Sequence, residues 1–90
     1  MIGAGPYAVA VDATSGRVLV TLRGEPRVAV VDGRADDASV LGWVELEATP
    51  AWVAIDQETR RAFVSMPESG AVAILEPTDE APFYEVVGTF

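Results

Sequence analysis

A shift of 44 residues lays this chain on itself without a gap. Pro6 meets Pro50, Val9 meets Val53, Ala10 meets Ala54, Asp12 meets Asp56, Arg17 meets Arg61, Val20 meets Val64, and Val28-Ala29 meets Val72-Ala73. Near-equivalents fill the intervals: Val11/Ile55, Leu19/Phe63, Thr21/Ser65, Leu22/Met66, Val30/Ile74, Val31/Leu75 and Asp32/Glu76. A repeat of this period constrains the fold more than any other feature, because each copy is a unit that buries its apolar face only by stacking on a neighbour. The register divides the chain into two whole units, Gly3 to Leu46 and Glu47 to Phe90, behind a two-residue lead.

Each unit reads as four short strands separated by turn residues, which predicts an all-β chain of two four-stranded antiparallel sheets. In the first unit the strands fall at Tyr7 to Asp12, Arg17 to Leu22, Arg27 to Asp32 and Val40 to Leu46. Thr14-Ser15-Gly16, Gly24-Glu25-Pro26 and the polar run from Gly33 to Ser39 break them. In the second unit they fall at Ala51 to Asp56, Arg61 to Met66, Ala71 to Glu76 and Tyr84 to Phe90. Runs such as Val9-Ala10-Val11 and Val28-Ala29-Val30-Val31 are apolar at consecutive positions, so both faces of each sheet are expected to be covered. Four-stranded sheets stacked face to face about an axis are the blades of a β-propeller.

The stretch PYAVAVDATSGRVLVT, followed after a glycine turn by VAVVD, resembles the YVTN repeat family of propellers and more loosely the NHL type. The second copy, PAWVAIDQETRRAFVS then GAVAILE, keeps the frame and loses the Thr-Ser-Gly turn. The resemblance spans nearly the whole chain and implies a fold. It implies little about activity, since such propellers serve as binding platforms, enzyme subunits and cell-surface parts.

Composition excludes several functions. Fourteen carboxylates against six arginines, with no lysine or histidine, give a formal charge of −8. Such a chain is repelled by phosphate backbones and anionic membranes, so neither nucleic acid nor a membrane is expected as a partner. Without cysteine there is no thiolate chemistry and no Cys-ligated metal; without histidine there is no Ser-His-Asp triad. No pair of carboxylates stands out by spacing. The reading is that of a non-enzyme with no cofactor and no metal, cytoplasmic by default because no signal-peptide pattern opens the sequence.

Asp12 and Asp56 each close the first strand of a unit and are expected to accept backbone N–H groups of the following turn. The clusters Asp36-Asp37 and Asp79-Glu80 read as solvated loop surface. Trp43, Trp52, Tyr7 and Tyr84 are the candidate ligand-binding residues, since aromatic faces stack on sugar rings; packing between blades is the use expected ahead of it. Two blades leave two apolar faces uncovered, and a second copy of the chain is the expected partner. Small residues on the inner strands (Ala8, Ala10, Ala51, Ala54), with Leu19, Phe63 and Trp43 farther out, favour six blades as a trimer over eight as a tetramer. The expected role is that of a structural or protein-interaction scaffold. A carbohydrate-binding ring is the alternative, and a propeller hydrolase or lyase ranks behind it.

Overall fold

A computed structural model describes residues 6–22, 24–34 and 39–90. Two four-stranded antiparallel sheets make up the molecule: β1 (Pro6–Asp12), β2 (Arg17–Leu22), β3 (Arg27–Asp32) and β4 (Val40–Glu45), then β5 (Val53–Ile55), β6 (Ala62–Met66), β7 (Ala71–Pro77) and β8 (Tyr84–Thr89). Each sheet is a meander in which every strand pairs with the next. Among the described residues there is no helix, and so none long and apolar enough to cross a membrane.

The pairing repeats with the sequence. Val9 lies opposite Val20 and Val53 opposite Val64; Leu19 opposite Val30 and Phe63 opposite Ile74. At the head of each inner strand the backbone leaves the ladder and a hydroxyl replaces the missing acceptor. Ala8 N donates to Thr21 Oγ1 at 3.0 Å, and its counterpart Trp52 N donates to Ser65 Oγ at 3.1 Å. The turn after the first strand is likewise built twice. Gly16 takes φ 77° in the first copy, and Arg60, without a glycine's freedom, takes φ 64° in the second. The Thr-Ser-Gly signature is lost from the second copy while its conformation is kept.

One register differs. Val30 lies opposite Gly42, but Ile74 lies opposite Gly88, so the fourth strand of the second copy pairs two residues further along and the gap-free shift of 44 ends at the third strand. Two residues preserve the alternation of side chains, so each fourth strand still presents the same face.

The sheets share one core. Ala8, Leu19, Val28, Val30 and Val44 of the first pack with Val53, Ala62, Val64, Met66, Ala73, Leu75 and Tyr84 of the second. The sheets approach most closely along β1 and β5, where alanines allow it. Gly42 marks another close approach, since a Cβ there would lie 2.6 Å from Pro82 Cβ.

The expectation that both faces of every strand are covered holds only in part. Val9 and Val11 are 61% and 51% exposed on the outer side of β1, while Val20, Leu22, Ala29 and Val31 of the same sheet are buried beside Val18 and Trp43 in a second cluster. On the second sheet Trp52 is 66% exposed, Ala54 is exposed, and Phe63, Ser65, Val72 and Ile74 are half-buried. Each sheet is fully covered only on the side that meets the other.

Candidate functional site

Among the described residues the seam between the sheets carries the densest polar chemistry, and Asp12 is its centre. As the sequence suggests, Asp12 caps its turn: Oδ1 accepts Thr14 N at 3.0 Å. The other oxygen crosses the seam. Oδ2 accepts Arg60 Nε at 2.9 Å and the Tyr84 hydroxyl at 2.7 Å, with Arg60 Nη2 at 2.8 Å. Asp12 is fully buried, and burial alone would disfavour its charge. The hydrogen bonds from Arg60, Tyr84, Thr14 and Ser15 together outweigh that penalty and hold the carboxyl at about 2. Burial, then the bond to Asp12, pushes the Tyr84 phenol well above its ordinary value, so Tyr84 stays protonated and donates. The Arg60 guanidinium is held charged chiefly by its bond to Asp12.

Two further contacts fasten the seam. Gln57 grips the end of β1 with both ends of its amide: Nε2 donates to Val11 O at 2.8 Å and Oε1 accepts Ala13 N at 3.0 Å. Arg17 lies with its guanidinium carbon 3.9 Å from the centre of the Phe83 ring, a cation–π contact. Gln57 and Arg60 come from the β5–β6 turn, whereas Pro82, Phe83 and Tyr84 come from the β7–β8 connection and the start of β8. Sequence reasoning anticipates the turn role of Asp12 but not its partners, which lie 48 and 72 residues away. The available signal is a missing glycine: an arginine stands where the repeat calls for Gly16.

The four aromatic candidates are not brought to one place. Tyr84 is 1% exposed and belongs to the seam, so it presents no ligand surface. Trp43 is half-buried beneath Arg27, whose guanidinium carbon lies 3.9 Å from the ring centre. Tyr7 and Trp52 do meet, with ring centroids 6.0 Å apart and tilted by 46°. Both are exposed, and beside Tyr7 a shallow cleft of about 270 Å³ is lined by Gly24, Thr49, Pro50, Ala51, Pro67 and Glu68. Asp79 and Glu80 are exposed, as expected of solvated loop surface, and Asp36-Asp37 lie outside the described residues. Among the described residues no three of Asp, Glu, His or Cys converge as metal ligands would.

The two outer faces are the remaining candidate. By the repeat, Trp52, Ala54, Phe63, Ser65, Val72 and Ile74 on the second sheet are the counterparts of Ala8, Ala10, Leu19, Thr21, Val28 and Val30, which line the covered face of the first. Conversely Val9, Val11 and Val20 on the outer face of the first sheet are the counterparts of Val53, Ile55 and Val64 on the covered face of the second. The chain thus displays outward a copy of each of the two surfaces that it joins inside. It matches no known family model and no curated protein, so its function is to be read from this geometry.

Proposed function

We propose that the chain is a self-assembling propeller module: its two sheets are blades of the YVTN-like kind, and identical chains stack head to tail into a closed ring that acts as a structural or protein-interaction scaffold. The correspondence between outer and seam surfaces supports this most directly. A surface that is a copy of one side of a stable seam has, on the next chain, a surface that is a copy of the other side. Contacts of this heterologous kind close into a ring when the rotation per chain divides a full turn. The apolar residues at the surface favour such cover: Val9, Val11, Trp52 and Phe90 are all more than half exposed, and Phe90 extends the ladder by two hydrogen bonds with Val72, at 2.7 and 3.0 Å.

Three chains making six blades is the favoured ring. Ala8, Ala10 and Ala54 on the inner strands, against Leu19 and Phe63 one strand outward, give a steep wedge suited to few blades. The scaffold reading is preferred to catalysis because the cluster of perturbed ionisable groups among the described residues, Asp12 with Arg60 and Tyr84, holds its carboxylate and phenol buried in the seam and bonded to each other and to Arg60. Light scattering of the purified protein should give about three chain masses. A monomer at micromolar concentration would overturn self-assembly, whereas a stable dimer or tetramer would change only the number of blades.

A second reading has its own observation. The exposed Tyr7–Trp52 pair beside the cleft is a surface on which a sugar ring could stack, repeated once per chain. Titration with a panel of sugars should then quench the tryptophan fluorescence of the wild type and not of Trp52→Ala; no response across the panel would reject it.

A further inference from the structure

Inside the chain the seam is locked by Asp12 with Arg60, but the counterpart of Arg60 in the first unit is Gly16, which has no side chain to offer. The counterpart of Asp12 is Asp56. It caps its own turn, with Oδ1 accepting Glu58 N at 3.1 Å and Oδ2 accepting the Thr59 hydroxyl at 3.2 Å, and it is exposed. Among the described residues no cation pairs with it.

Arg34 supplies what Gly16 lacks. Its side chain crosses the glycine so closely that a Cβ added there would lie 2.7 Å from both Cγ and Cδ of Arg34. A guanidinium therefore reaches the corner from which, in the second unit, the Arg60 side chain departs. It is held in place: Arg34 N donates to Asp32 Oδ1 at 3.0 Å, Nη2 donates to Thr14 O at 3.3 Å, and Gly33 N ties the two turns together through Gly16 O at 3.0 Å. Arg34 is exposed, and its described carboxylate neighbour, Asp32, accepts from its backbone rather than its guanidinium.

We propose that Asp56 of one chain pairs with Arg34 of the next, so that each junction between chains carries an ion pair equivalent to Asp12–Arg60. This rests on the head-to-tail ring and deepens it by naming the residues that set its order. In a chain of charge −8, where contacts between copies are opposed by net repulsion, a carboxylate answered by an arginine at each junction supports association and selects head-to-tail over head-to-head stacking.

Sedimentation velocity over a range of concentrations tests the pair. Arg34→Glu should raise the concentration of half-assembly about tenfold or more, and so should Asp56→Arg. The second result is the sharper, because Asp56→Arg lowers the net negative charge and would tighten association if only overall repulsion mattered. The double variant Arg34→Glu/Asp56→Arg should return to within about threefold of the wild type. If Asp56→Arg fails to fold, as thermal unfolding would reveal, Asp56→Asn keeps the turn acceptor and should still weaken assembly severalfold. Single variants that assemble like the wild type, or a double variant that fails to recover, would overturn the pair and leave the ring standing. A wild type that stays monomeric would overturn the ring itself.

Discussion

The two copies of the first turn share a backbone and differ in what they hold. In the first, Asp12 is buried, and its carboxylate is shared between its own turn and the second sheet; in the second, Asp56 serves its own turn and faces solvent. The partners differ in step: Gln57 and Arg60 reach across the seam, while Ala13 and Gly16 at the equivalent places cannot. Arg17 stacks on Phe83 in the seam, whereas its counterpart Arg61 pairs with Glu76 of its own sheet at 2.7 Å. Two sheets from one repeat thus diverge where they lock against each other and stay plain where the equivalent surface faces outward. Divergence in a repeat marks the junctions that the chain closes by itself.

The largest way to break this contrast is to attack the shared core. Val53 is 8% exposed and packs in the common cluster, so Val53→Asp buries an unpaired carboxylate at a cost of several kcal/mol, comparable with the whole stability of a small domain. Circular dichroism should show loss of the cooperative thermal transition. Its repeat counterpart Val9 is 61% exposed, and Val9→Asp should leave the isolated chain folded while weakening association.

Arg60→Gly sets two effects against each other. Glycine relieves a left-handed residue worth about 1 kcal/mol, but it strands the buried Asp12 charge, which costs about 3–5 kcal/mol. The net expectation is a loss of about 2–4 kcal/mol in urea unfolding. A gain would mean that the Asp12–Arg60 pair contributes less than the left-handed backbone at Arg60 costs.

Acid provides a smaller and reversible break. The Asp12 carboxyl is depressed from 3.8 to about 2 in the folded chain. A depressed carboxyl stabilises the fold fully above its unfolded value, and that contribution is lost as pH falls through about 4 toward about 2. The shift corresponds to about 2 kcal/mol. The melting temperature of the wild type should therefore fall more steeply over this window than that of Asp12→Asn; equal slopes would refute the assignment.

The smallest change sharpens the comparison. Gln57→Ala removes two exposed hydrogen bonds and should cost about 1 kcal/mol, read as a small drop in melting temperature. Ala13→Gln plants the same grip on the outward copy of the turn and should tighten association between chains a few-fold, measured by sedimentation.

The sequence alone determined the repeat, the eight strands and their limits to within one or two residues, because short apolar runs and turn signals are local and the same backbone requirement is written twice. It also determined the cap at Asp12, since an Asx turn needs only the next two residues. What only the tertiary structure decided is how the copies differ in use. Tyr84 stands beside Trp52 among the aromatic candidates of the sequence, yet at the start of β8 it lies in the seam, where its hydroxyl meets a carboxylate 72 residues away. Tyr7 and Trp52 become neighbours through packing between the two sheets, and Trp43 goes under Arg27 of the adjacent strand. Local patterns fix which residues face inward, but which of two equivalent faces is met by the other sheet depends on stacking order, and that is a property of the assembled chain rather than of any one segment.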